Sequence, residues 1–166
     1  MADLARIRGF SAAYPGCFPT IGAMRASGTF TVTSFVPADL KPGPEITTAL
    51  PVGVATIVKS FEGEITGRST TLFTAAFDQA AGVGTYVAME SFEGAVDGRE
   101  GTFNFVHSAA TSGDDRSNEF FAIVPSSGVG ALAGIRGGGG LAVDEDGTHR
   151  IWFDFDFDFD LGSDAG

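Results

Sequence analysis

The segment SFEGEITGR at residues 60–68 returns as SFEGAVDGR at 91–99, displaced by 31 residues, and this internal repeat is what most limits the folds open to the chain. In each copy a run of strand-forming residues leads to a turn-type dipeptide, Thr66-Gly67 or Asp97-Gly98, and an Arg opens the next run. Asp-Gly suits a two-residue hairpin loop because both central residues of such a turn need a positive φ. The repeat unit therefore reads as a β-hairpin. A fainter third copy, GALAGIRG at 130–137, keeps the glycines and the Arg. Three like hairpins predict a sheet that closes on itself.

The rest of the chain fits that expectation. Runs rich in β-branched and aromatic residues, at 28–36, 53–65, 68–78, 83–96, 99–110, 118–125, 138–144 and 148–159, are separated by Gly, Pro, Asp and Ser. Almost no apolar pattern has helical period. The expectation is an all-β fold, a single antiparallel eight-stranded β-barrel over residues 25–160, with an extension at 1–24 and a short tail at 161–166. The prolines between Pro37 and Pro51 make that stretch a loop. Residues 128–135 read as a turn or a short helix, and Gly137–Gly140 as a flexible connection.

If Asp97-Gly98 is a two-residue loop, Val96 lies opposite Arg99 and Glu90 opposite Phe105. Alternation then puts Tyr86, Ala88, Glu90 and Phe92 on one face with Phe103, Phe105 and His107. This face is the more aromatic, so burial assigns it to the interior; a slip of one residue would invert the assignment. His107 becomes the diagonal neighbour of Glu90. The same reading of Thr66-Gly67 sets Lys59 opposite Thr74, and lines the interior with Ile57, Lys59, Phe61, Leu72 and Thr74. In the closing run Phe153, Phe155, Phe157 and Phe159 face inward, while Asp154, Asp156, Asp158 and Asp160 form a solvated face.

Composition bounds the partners. Sixteen Phe against one Trp and two Tyr place aromatic bulk where no polar handle is needed, in a packed or ligand-filled interior. A net charge of −11 repels phosphate backbones and anionic lipid, which disfavours nucleic acid and membrane as partners. A single cysteine allows no intrachain disulfide, and neither a leader peptide nor a transmembrane run is evident, so the expected location is cytoplasmic. No metal-ligand spacing, nucleotide loop or nucleophile motif stands out, and no cofactor is expected.

The segments GTFTVTSF at 28–35, SFEGAVDGREGTFNFVHS at 91–108 and VPSSGVGALAGIRGGGG at 124–140, with the aromatic-acidic last strand, resemble a bacterial domain-of-unknown-function family. That family looks like the allene oxide cyclase type of barrel, a lipocalin-like cup whose relatives include enzymes that cyclise reactive small molecules in an apolar cavity. The resemblance spans roughly residues 25–159, and Glu90, Phe92, Gly94, Gly98, Arg99, Phe103 and His107 match its central hairpin.

Two functions stay open. In the first, the chain is a cofactor-free isomerase or cyclase acting on a hydrophobic small molecule, such as a natural-product intermediate. Glu90, His107 and Lys59 form its acid–base site, and Tyr86, Phe92, Phe103, Phe105, Phe61 and Thr74 line the cavity. In the second, it is a carrier that holds such a molecule without chemistry. Each polar residue also has a structural reading: Glu90 with His107 as a satisfied pair that fixes register, and Lys59 as a strand-end side chain with its ammonium in water. Arg68, Arg99 and Arg136, each following a turn, read as partners of local carboxylates. A homodimer is the expected assembly for a small barrel.

Overall fold

The computed structural model describes residues 23–41, 43–113 and 115–158. Its strands are β1 (Met24–Ala38), β2 (Val52–Gly63), β3 (Ile65–Asp78), β4 (Val83–Val96), β5 (Arg99–Ser112), β6 (Asp115–Ile123), β7 (Val129–Gly130), β8 (Ile135–Val143) and β9 (His149–Phe157). There is no helix among the described residues. The proposed extension lies outside them as far as residue 22, as does the tail, and β1 begins at Met24.

All pairings are antiparallel, in the order β6-β5-β4-β3-β2-β1-β9-β8, with the two-residue β7 beside β5. The ends of this order meet: β6 packs against β8, with Phe121 lying over Gly138 and Gly139. The sheet is thus a nearly closed barrel of eight long strands, and alternation sorts its side chains into an inner and an outer set. Gly137–Gly140 are strand, not a flexible connection. A Cβ on Gly139 would come within 3.0 Å of the Phe121 ring, and one on Gly140 within 2.2 Å of the Trp152 ring, so the glycines make room for aromatics at the seam.

The two copies of the repeat are used differently. Asp97 and Gly98, with φ of 49° and 74°, form the expected two-residue turn, so Val96 faces Arg99 and Glu90 faces Phe105. In the first copy the chain turns earlier, at Gly63 (φ 111°), where Glu64 exchanges backbone and side-chain hydrogen bonds with Ser27. Thr66-Gly67 is consequently inside β3, and Gly67 pairs with Gly94 of the other copy so closely that a Cβ on Gly67 would lie 2.7 Å from the Gly94 Cα. This moves the β2–β3 register by an odd number of residues and inverts β3. Lys59 faces Ser69, not Thr74, and Leu72 and Thr74 point outward, where both are exposed.

One end of the barrel is filled. Phe61, Phe92, Phe103, Phe105, Phe153 and Phe155 pack with Ile65, Ile135 and Ile151, and Leu132, from the turn after β7, plugs the same end. That turn contains no helix. Outside, Arg68 pairs with Glu93 (2.8 Å), Arg99 with Asp97 (2.8 Å), Arg25 with Asp154 (2.6 Å), and Arg136 with Asp156 and Asp158. The acidic face of β9 is therefore solvated and cross-linked by arginines, each worth little singly.

Candidate functional site

At the other end the inward rungs of β2, β3, β4 and β5 mix alanines with rings: Ala55 and Ala88 beside Phe73 and His107, then Ala75 and Ala109 beside Tyr86. The alanines leave room between the rings, and the barrel opens there into a cup of about 510 Å³, walled by Phe35, Phe73, Phe77, Tyr86, Thr111 and backbone of the same strands. Its size is that of a small-molecule site. No carboxylate or amine lines it. A bulge after Val32 turns the odd-numbered residues of β1 inward, which brings Phe35 to the wall against Phe73, ring centroids 6.1 Å apart. The β1–β9 ladder ends at Phe30 and His149, so beyond it β1 is paired only with β2.

Glu90 sits where the hollow end meets the filled one, fully buried. Lys59 donates to its Oε1; His107 Nε2 donates to the same oxygen at 2.7 Å, and Ser69 Oγ to Oε2 at 2.6 Å. Lys59 Nζ also lies 4.9 Å from the Phe30 ring centroid, and its side chain is buried rather than extended to water. Directly opposite Glu90 in the ladder, Thr71 has a buried hydroxyl without a hydrogen-bond partner among the described residues.

These contacts fix protonation states. Burial disfavours a charged Glu90, but the bond from His107, the charge and bond of Lys59 and the bond from Ser69 outweigh it and hold the carboxyl down to about 2. Burial likewise pushes the His107 imidazole below its ordinary value, helped by the charges of Lys59 and Arg116 and opposed by Glu90. An ionised carboxylate can only accept, so Nε2 of the neutral ring carries the proton and Nδ1 is an acceptor. The hydroxyl of Tyr86 lies 3.1 Å from that Nδ1 and donates to it. Arg116 Nη2 donates to the same hydroxyl oxygen at 3.0 Å. An ordered chain thus runs from Glu90 through His107 to Tyr86, whose ring stacks on Phe73 in the cup wall at a centroid distance of 5.3 Å.

Sequence reasoning placed Glu90, His107, Lys59 and Tyr86 together, and the structure has all four in this chain. It does not have Glu90 or Lys59 in the cup: both are sealed beneath it, and Tyr86 is the member that lines the cavity. Phe61, Phe92, Phe103 and Phe105, expected as cavity lining, belong instead to the filled end, no more than 3% exposed, because their rings interlock with one another and with Phe153 at centroid distances such as 5.2 and 5.3 Å. Thr74 is outside for the register reason given above. Two members were missed. Ser69 is hidden by the inverted β3, and Arg116 by a bulge between Ser108 and Ala110 and by Asn118 in the left-handed region (φ 49°), which together reset alternation in β6.

Among the described residues no cluster of His, Cys, Asp and Glu could hold a metal ion, and no helix is long and apolar enough to cross a membrane. A family model described as a protein of unknown function, DUF3224, matches residues 26–155. A crystal structure described as a protein with unknown function from the same family, from Shewanella oneidensis MR-1, is similar over 83% of this chain and 100% of its own. It is 27% identical, with a TM-score of 0.70. No curated protein matches the chain.

Proposed function

Since this chain belongs to the DUF3224 family, whose name assigns no activity, we propose its function from the site alone: it is a cofactor-free acid–base catalyst, an isomerase or cyclase, acting on an apolar small molecule held in the cup. The observation that carries this reading is the Glu90–His107–Tyr86 chain, which ends at the cavity wall. Tyr86 meets the substrate. In the step it performs, the phenolic proton passes to the lone pair of His107 Nδ1 as the Tyr86 oxygen takes a proton from a substrate carbon; the oxygen then delivers that proton to a second substrate carbon as Nδ1 returns the first, and Glu90 keeps the imidazole in one tautomer. Arg116 sets a cation against the oxygen that bears charge when the proton leaves. Glu90, Lys59 and Ser69 act through His107 and are positioning residues. The allene oxide cyclase-like cup implied by the sequence resemblance is the finer form of this reading, with ring closure inside an apolar wall.

The apolar wall also suits the second reading, a carrier in which Tyr86 is only an anchor. The two separate on chemistry. Apolar ketones and epoxides of six to twelve carbons are incubated with the protein in D₂O, and deuterium uptake and isomeric products are followed by mass spectrometry. For a catalyst, at least one probe exchanges or rearranges, and Tyr86→Phe lowers that rate on the order of a hundredfold while binding stays within a few-fold. Probes that bind but never exchange or rearrange would establish the carrier.

A further inference from the structure

Resting on that reading of the site, we infer that the molecule taken up is amphipathic: an apolar body lies in the cup and a single anionic oxygen head group, a carboxylate, is bound by Arg116 and Tyr86. The body follows from the wall, which carries no charged side chain in a chain of net charge −11. The head follows from how charge is distributed around Tyr86. Lys59 and Glu90 neutralise one another, and His107 is held neutral by its burial. That leaves Arg116, bonded to the Tyr86 hydroxyl, as the charge next to the cup wall. It is half-buried and pairs with Glu119 only at 3.4 Å, on an exposed rim side chain.

Arg116 also has somewhere to hold such a group. Beyond Tyr86, at the β6–β8 seam, Arg116, His107, Glu119, Phe121 and Gly139 line a crevice of about 60 Å³, room for a few heavy atoms and no more. Tyr86 lines the cup, and its hydroxyl is bonded to both His107 and Arg116 of the crevice, so this one side chain ties the wall of the large apolar space to the wall of the small polar one. Arg116 uses Nε and Nη2 in its side-chain bonds. A guanidinium presents its donors as a planar fork, the geometry that a carboxylate accepts and that an alcohol matches poorly. An ammonium would meet the Arg116 cation, whereas a carboxylate takes the place of the exposed Glu119, whose hold on Arg116 is the long 3.4 Å contact.

The test compares three probes of one chain length, decanoic acid, 1-decanol and decylamine, titrated calorimetrically into the full chain below their aggregation limits. Decanoate should bind at least tenfold more tightly than either other probe, and more weakly as NaCl rises, while decanol is insensitive to salt. Arg116→Gln should bring decanoate to within about twofold of decanol and leave decanol unchanged, and Arg116→Lys should keep part of the preference. Equal binding of all three, preference for the amine, no binding of any, or a preference that survives Arg116→Gln would overturn the inference. Were Arg116→Gln to fail to fold, the salt dependence and probe order in the parent protein decide alone. Turnover abolished by Tyr86→Phe without head-group preference would sink this inference and leave the acid–base reading standing; preference without turnover would do the reverse.

Discussion

Along β4 the inward side chains run Tyr86, Ala88, Glu90, Phe92, and the barrel changes character across those four. On the Phe92 side, Phe103 and Phe105 from the neighbouring β5 and Phe153 from β9 pack into one buried cluster. On the Tyr86 side, Ala55, Ala75 and Ala109 stand at comparable inward positions and leave a cup of about 510 Å³. The cup end also lacks the β1–β9 ladder, which stops at Phe30 and His149, so the end of that ladder and the size of a handful of inward residues together decide which end is core and which is cavity. Glu90 lies at the boundary. Its three donors make a polar layer that the filled end supports from below and the cup uses from above.

The sharpest way to break this contrast is to remove one ring from each end. Phe153→Ala, at a position with no exposed surface, should destabilise the fold by about 3–5 kcal/mol in urea denaturation, the usual cost of an aromatic-sized void. Phe73→Ala should cost roughly 1 kcal/mol, because that ring already borders open space and forfeits less burial. Equal losses would mean that the cup is packed in solution and that the two ends are alike.

The boundary layer comes next in size. Lys59→Met leaves Glu90 buried without its ammonium, and breaking such a pair from one side costs about 3 kcal/mol, toward the low end of the range because Ser69 and His107 stay in place. The double variant Lys59→Met/Glu90→Met should recover most of the loss. Chemical denaturation of the single and double variants closes the cycle; strict additivity would show that the pair is not coupled.

What the sequence made legible follows the turn chemistry. Asp97-Gly98 permits one loop, so its register, and with it the Glu90–His107 neighbourhood, could be computed from alternation. Thr66-Gly67 carries the same glycine in the same repeat, yet the chain had already turned at Gly63, because Glu64 bonds to Ser27 of a strand far away in sequence. No local pattern contains that contact. The price of missing it was the inversion of one strand: Thr74 and Leu72 in, Ser69 out, where the reverse holds. Alternation also sorts inward from outward residues but says nothing of height along the barrel axis, and so four inward Phe of the filled end were read as cavity lining. Arg116 needed knowledge of a bulge, which has no fixed sequence mark.

The smallest expected effect is the most specific to the boundary layer, and it is read from stability against pH. His107 titrates lower in the fold than in the unfolded chain, chiefly because burial opposes its charge, so the folded state gains from its neutral form. That gain is complete above the unfolded value near 6.5 and is lost as pH falls below it, at no more than about 1.4 kcal/mol per pH unit for one proton. Glu90, held down to about 2 against an unfolded value near 4.5, adds stability that is complete above 4.5 and drains away as pH falls from there through the folded value. Urea midpoints between pH 7.5 and 5 should therefore decline with His107 alone of this layer titrating, and a second decline should follow below pH 4.5. In His107→Gln the first decline should flatten while the second persists, since Lys59 and Ser69 still hold Glu90 ionised. Rising stability from pH 7.5 to 5 in the parent would mean that His107 is protonated against Glu90, which would remove the acceptor at Nδ1 on which the role of Tyr86 depends.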